Sequence, residues 1–105
     1  MSNNRNQRRG LGLGRPRLNR RVRFDPMVRY FKPQGIPLRE LEEVSLSREE
    51  IEALRLKNIP DYDQTKCAEK MNTSQSTFQR ILSEAYKKIS IALVEGKAIK
   101  IEEQK

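Results

Sequence analysis

The sequence predicts a mainly α protein, a three- to four-helix bundle containing a helix-turn-helix, with a short two-stranded sheet made by its terminal segments. Three observations predict it. Apolar residues recur at steps of three and four along most of the second half of the chain. Residues suited to cap helices stand at the starts of those runs, and residues suited to end helices stand after them. Ala98/Lys100 and Ile99/Ile101 alternate like a short strand near the C-terminal end.

Residues 1–19, MSNNRNQRRGLGLGRPRLN, have no periodicity and much Gly, Asn and Arg, so a disordered Arg-rich arm is expected, followed by one domain over 20–105. RRVRF at 20–24 reads as a short strand ended by Asp25-Pro26, and Met27 to Lys32 as extended chain before Pro33-Gln34-Gly35 turns it. Pro37 suits the first turn of a short helix with Leu38 and Leu41 on one side. In LSREEIEALRLKN, Ser47 and Glu50 form a capping box, each side chain taking a backbone N–H that the first turn leaves unpaired. Leu46 can then pack on Ile51, Leu54 continues that side, and Pro60 stops the helix.

Asp63 is a good cap for the next helix, QTKCAEKM, whose buried side is Cys67, Ala68 and Met71. Asn72 follows where chains often pass through the left-handed region, and Ser74 caps a third helix. Serine, threonine and asparagine weaken a helix interior. Yet in KMNTSQSTFQRILS, Phe78, Ile81 and Leu82 hold helical spacing, which Ala85, Ile89, Ala92 and Leu93 continue to Gly96. The strand in KAIKIE is expected to pair with Arg20–Phe24, because neither is stable alone.

Composition narrows the function. The chain of 105 residues is 35% hydrophobic and 34% charged, which suits one small soluble domain. With no His and a single Cys, neither a His-based acid/base site nor a Cys/His metal site can be built, and no intramolecular disulfide can form. No apolar run approaches a bilayer span, so no membrane partner is expected and the cytoplasm is the default compartment. No enzyme and no cofactor are expected: Glu49 and Glu50 stand at a helix start, where stabilising the dipole accounts for them. The net charge of +8 is unevenly spread. Residues 1–35 hold ten Lys/Arg against one acid, a net of +9, and the rest hold twelve against thirteen, a net of −1. Such arms bind nucleic acid or serve as solvated tails.

Two helices, a tight turn and small polar residues at the start of the second helix make the helix-turn-helix arrangement. Ala68 allows the close helix approach, Asn72 the turn, and Phe78, Ile81 and Leu82 the packing. The residues free of the apolar stripe are Gln75, Ser76, Thr77, Gln79, Arg80 and Ser83, with Ser74 at the cap. Gln suits adenine edges and Arg guanine edges, while Ser and Thr take bases or phosphate. An ordinary solvated helix face is the alternative for Gln79 or Arg80 taken singly. In the arm, Gly14-Arg15-Pro16-Arg17 has the core of a minor-groove hook, and Arg15, Arg17, Arg20, Arg21 and Arg23 are otherwise phosphate contacts. Neutralising about five to seven phosphates would give log affinity a slope of roughly −5 to −6 against log salt.

The stretches GRPRLNRRVRF, YFKPQGIPLRELEEVSLSREEIEALRLKN, CAEKMNTSQSTFQRIL and ALVEGKAIKIE resemble an uncharacterised prokaryotic family of small predicted DNA-binding proteins. Its helix-turn-helix is similar to region four of the sigma-seventy factors. The resemblance runs from Gly14 to Glu102 and implies a tri- or tetrahelical DNA-binding core with a role in transcription. Asn72-Thr73 stands where the family usually has Gly-Val, and Arg23 where it often has Cys, so a thiol role there is not implied. Residues 1–13 read as an added basic extension, and a second domain found in some relatives is expected to be absent.

The expectation is therefore a cytoplasmic, nucleoid-associated protein that binds double-stranded DNA and regulates transcription, with the third helix over about 75–95 in the major groove. Two other readings stay open: an RNA-binding protein that uses the basic arm, and a sigma-like module that docks on RNA polymerase or another regulator. Tyr86, Ile91 and Val94 widen the apolar surface of the third helix, either as a homodimer seam or as a bed for the N-terminal segment.

Overall fold

The computed structural model describes residues 20–103. The arm over 1–19, including Arg15 and Arg17, lies outside the described residues. In chain order come β1 (Tyr30–Phe31), a 3-10 turn (Leu38–Glu40), β2 (Glu43–Leu46), α1 (Arg48–Asn58), α2 (Gln64–Lys70), α3 (Gln75–Glu95) and β3 (Ala98–Ile101).

The helix boundaries follow local chemistry. Ser47 and Glu50 make both bonds of the capping box at α1, with Glu50 N–H to Ser47 Oγ at 3.1 Å and Ser47 N–H to Glu50 Oε1 at 2.8 Å. Asp63 caps α2 through Lys66 N–H, and Ser74 caps α3 through Thr77 N–H. Gly96 ends α3 in the left-handed region at φ 70°, where a glycine avoids the Cβ clash of other residues.

The sheet departs from expectation in size and partners. It is three-stranded and mixed, in the order β1-β3-β2. β3 pairs with β1 in antiparallel register, Tyr30 opposite Lys100, and with β2 in parallel register, Val44 opposite Ile99. The pairing of β3 with Arg20–Phe24 is thus overturned. The N–H groups of that segment go elsewhere: Arg21 donates to Met71 O at 3.0 Å, and Arg23 and Phe24 donate to the Glu52 carboxylate. A parallel β2–β3 pair needs a long crossover, and α1, α2 and α3 supply it. The architecture is three helices on a small mixed sheet rather than a plain helix bundle.

Two apolar clusters hold it. Ala53 and Leu56 of α1, Cys67, Ala68 and Met71 of the α2 side, and Phe78, Ile81 and Leu82 of α3 close around one another. Phe78 is fully buried, worth about 1.5–3 kcal/mol of transfer free energy. Leu46, Ala85 and Ile101 join α3 to the sheet, with Ile51, Leu54, Ile89 and Ile99 packed on them. Lys88 ties the two regions, reaching Ser45 O and Glu50 Oε1, each at 2.9 Å. The stripe of α3 ends one residue early: Ala92 is buried, but Leu93 is 76% exposed because no element among the described residues covers that side.

Candidate nucleic-acid interface

The turn between α2 and α3 is built by the backbone. Asn72 sits at φ 57° in the left-handed region. Its N–H donates to Glu69 O and that of Thr73 to Ala68 O, both at 3.0 Å, so the last carbonyls of α2 are satisfied by the paired bonds of a Schellman motif. Asn does here what Gly usually does, because its short polar side chain tolerates this conformation. Ala68, buried two residues before the end of α2, leaves room for Phe78 and its neighbours beneath it.

α3 then starts under tight local control. Ser74 Oγ accepts Thr77 N–H at 3.1 Å and its hydroxyl donates to Thr77 Oγ1 at 2.9 Å; Ser76 Oγ lies 3.3 Å away. Gln64 Nε2 donates to Gln75 O at 3.2 Å and so joins the starts of α2 and α3. With Phe78, Ile81 and Leu82 buried, helical geometry turns Gln75, Gln79 and Ser83 into one outward row and Ser76 and Arg80 into the next. Gln79 Nε2 donates to Ser83 Oγ at 3.0 Å, which orients its amide along the row. Ser74, Gln75, Ser76, Gln79, Arg80 and Ser83 are exposed and Thr77 is partly covered. All seven therefore share one face. Arg80 has no ion-pair partner among the described residues.

The arginines before α1 divide differently. Arg20 is paired with Glu49 at 2.8 Å, so its guanidinium is partly neutralised. Arg21 and Arg23 have exposed side chains, and their backbones are pinned at Met71 and Glu52. The root of the arm thus lies against the end of α2.

Sequence reasoning missed Glu52 altogether. It is 1% exposed, on the same side of α1 as Leu56. The signal was a carboxylate one turn from buried Leu56, with Arg55 three residues on. Tyr86, expected either in a homodimer seam or under the N-terminal segment, has a further contact: its hydroxyl exchanges hydrogen bonds with the Asn58 amide, joining the end of α1 to α3. Val94 remains 84% exposed.

Three helices crossing between two parallel strands, with one polar helix face turned outward, define a small α+β domain. The chain belongs to the family described as "Protein of unknown function DUF134", which it matches over residues 7–104. The basic segment from Gln7 onward is therefore part of the family pattern, not an addition to it. The relatives are UPF0251 proteins: one of Halothermothrix orenii is 52% identical over 90 residues, covering 86% of this chain and 67% of the relative. One of Desulforudis audaxviator is 56% identical over 86% of this chain and 59% of the relative. One of Clostridium botulinum is 55% identical over 85% of this chain and 57% of the relative. The chain thus spans about three fifths to two thirds of the length of the curated relatives it matches. No solved structure matches it. No helix among the described residues is long and apolar enough to cross a membrane.

Proposed function

We propose that this domain binds double-stranded DNA in a sequence-specific manner and regulates transcription, with α2, the Asn72 turn and α3 acting as a helix-turn-helix of the sigma-seventy region-four kind. One observation carries the reading. The small polar residues from Ser74 to Ser83 stand together on the outward face of a helix whose other face is clamped into the core. Short side chains at the start of α3 let its backbone approach a groove. Gln79 and Arg80, one turn in, are long enough to reach base edges. Arg21 and Arg23, next to the end of α2, supply phosphate contacts that position the helix without reading sequence.

Titrating the full chain with a duplex and with a single-stranded RNA of the same sequence tests this. Duplex preference is expected. Equal or tighter binding to the RNA would favour the arm alone as the binding element and remove α3 from the account. A docking role on RNA polymerase or another regulator is the second reading, favoured by the exposed Phe31, Leu93 and Val94. The same surface would serve a homodimer.

A further inference from the structure

A cleft of about 130 Å³ lies between α1, α2 and the Arg23 segment, and its charged lining is Arg23, Arg55 and Lys70 against Glu52, a net of +2. The one acid is already spent. A buried carboxylate is costly unless donors satisfy its oxygens, and Glu52 accepts from Arg55 Nε and Nη2, both at 3.1 Å, and from the backbone N–H groups of Arg23 at 3.2 Å and Phe24 at 3.3 Å. The remaining donors are not. Arg23 and Lys70 form no ion pair among the described residues. Lys70 Nζ lies 5.6 Å from the centre of the Tyr62 ring, a cation–π contact that holds it at the cleft wall. Tyr62 makes its hydrogen bonds through its backbone, N–H to Leu56 O at 3.3 Å and O from Cys67 Sγ at 3.6 Å, so its hydroxyl is unspent among the described residues. Asp61 and Asp63 flank Tyr62 in the chain but do not line the cleft, and Asp63 Oδ1 accepts Lys66 N–H at 2.8 Å.

We propose that this cleft binds one phosphate group through Arg23, Lys70 and the Tyr62 hydroxyl, while Glu52 fixes the backbone of Arg23 and the guanidinium of Arg55 at its wall. Size and charge both select that ligand. The cleft is well below the roughly 300–1,000 Å³ of sites for organic ligands, so it admits a single small anion. A phosphate ester carries about −1.5 to −2 at neutral pH, which the cleft's net charge matches. Charge-assisted hydrogen bonds from Arg and Lys to phosphate oxygens are among the strong ones. The group belongs either to a free phosphate or to the backbone of a duplex. Only Arg23 is shared with the groove reading, so the cleft does not fall with it.

The test titrates inorganic phosphate into the full chain at neutral pH and constant ionic strength, following amide resonances by NMR. Saturable shifts are expected at Tyr62 and Lys70. Arg23→Gln and Lys70→Gln each change a side chain outside the core. Each should weaken binding about fivefold or more, the factor that one unit charge at ~4 Å contributes in water. Tyr62→Phe keeps the ring under Lys70, removes the hydroxyl and should weaken binding as well. A second arm measures duplexes in which single phosphates are replaced by neutral methylphosphonates. If the backbone supplies the group, one replacement weakens the wild type and leaves Lys70→Gln unaffected, and that variant's salt slope is smaller by about 1. Such coupling assigns the cleft to the duplex, and saturable shifts without it assign the cleft to free phosphate. Neither result, or equal phosphate affinity in the wild type and all three variants, would overturn the proposal. If the wild type bound no duplex, the groove reading would fall, and the phosphate titration alone would decide the cleft.

Discussion

Glu52 keeps its charge inside the protein because the donors around it outweigh the cost of burial. Burial alone pushes its carboxyl up, while the Arg55 guanidinium and the N–H groups of Arg23 and Phe24 pull it down, leaving it below the ordinary carboxylate value. A depressed folded value means that the stabilisation is complete above the unfolded value of about 4.3 and is lost as pH falls through the folded one. Protection factors of the Arg23 and Phe24 amides should therefore hold steady from neutral pH to about 5 and collapse only below about 4.3; a collapse that begins near neutrality would show that Glu52 is not the acceptor. Asn72 is the other residue with an outsized local role. Asn72→Gly should leave the thermal midpoint unchanged or raise it, since glycine takes the left-handed conformation freely. Asn72→Val should cost about 1–2 kcal/mol. That corresponds to a midpoint lower by about 4–8 °C for each kcal/mol in a domain of this size. A valine variant as stable as the wild type would mean that the turn tolerates another geometry.

Among the elements, the helices were far more legible in sequence than the strands, for a physical reason. A helix end is decided by residues three or four apart, so Ser47, Asp63, Asn72, Ser74 and Gly96 each announce a boundary that the structure respects. A strand is decided by a partner far along the chain. Glu43–Leu46 alternates polar and apolar residues over only four positions, too short a signal to stand alone, and is a strand because β3 lies beside it. Arg20–Phe24 looks like a strand and is none, because Glu52 and Met71 O take its donors. The polar face of α3 was legible from the spacing of Phe78, Ile81 and Leu82, whereas the anchoring of Arg20–Phe24 was not, since it depends on Glu49, Glu52 and the Met71 carbonyl of elements far along the chain. The α1 start joins both kinds of information, because Glu50 completes the box with Ser47 and also receives Lys88 from α3. Ser47→Ala should lower stability by about 0.5–2 kcal/mol. It should appear as a shifted urea midpoint with unchanged slope. A shift within error would mean that Glu50 and Lys88 hold the helix start without the serine.

In the whole molecule, the contacts of the proposed function are distributed along α3. The helix has 21 residues, about 30 Å of length. Its first turns present Gln75, Gln79 and Arg80, its middle carries the core, and its last turn exposes Val94 and, beside Phe31, Leu93. The proposed groove reading at one end and an apolar surface at the other would leave both contacts free to form together. This is the arrangement that a dimer on two half-sites, or docking on the transcription machinery, requires. Arg21 N–H on Met71 O places the root of the basic arm beside the α2–α3 turn. The central claim is that α3 reads sequence, and selection of random duplex DNA at about 150 mM salt, near physiological ionic strength, by the wild type and by Gln79→Ala/Arg80→Ala tests it most directly. The account predicts a motif recovered by the wild type and degraded in the variant, with two-fold symmetry if the protein dimerises. Recovery of the same motif by both, or of none by either, would contradict it.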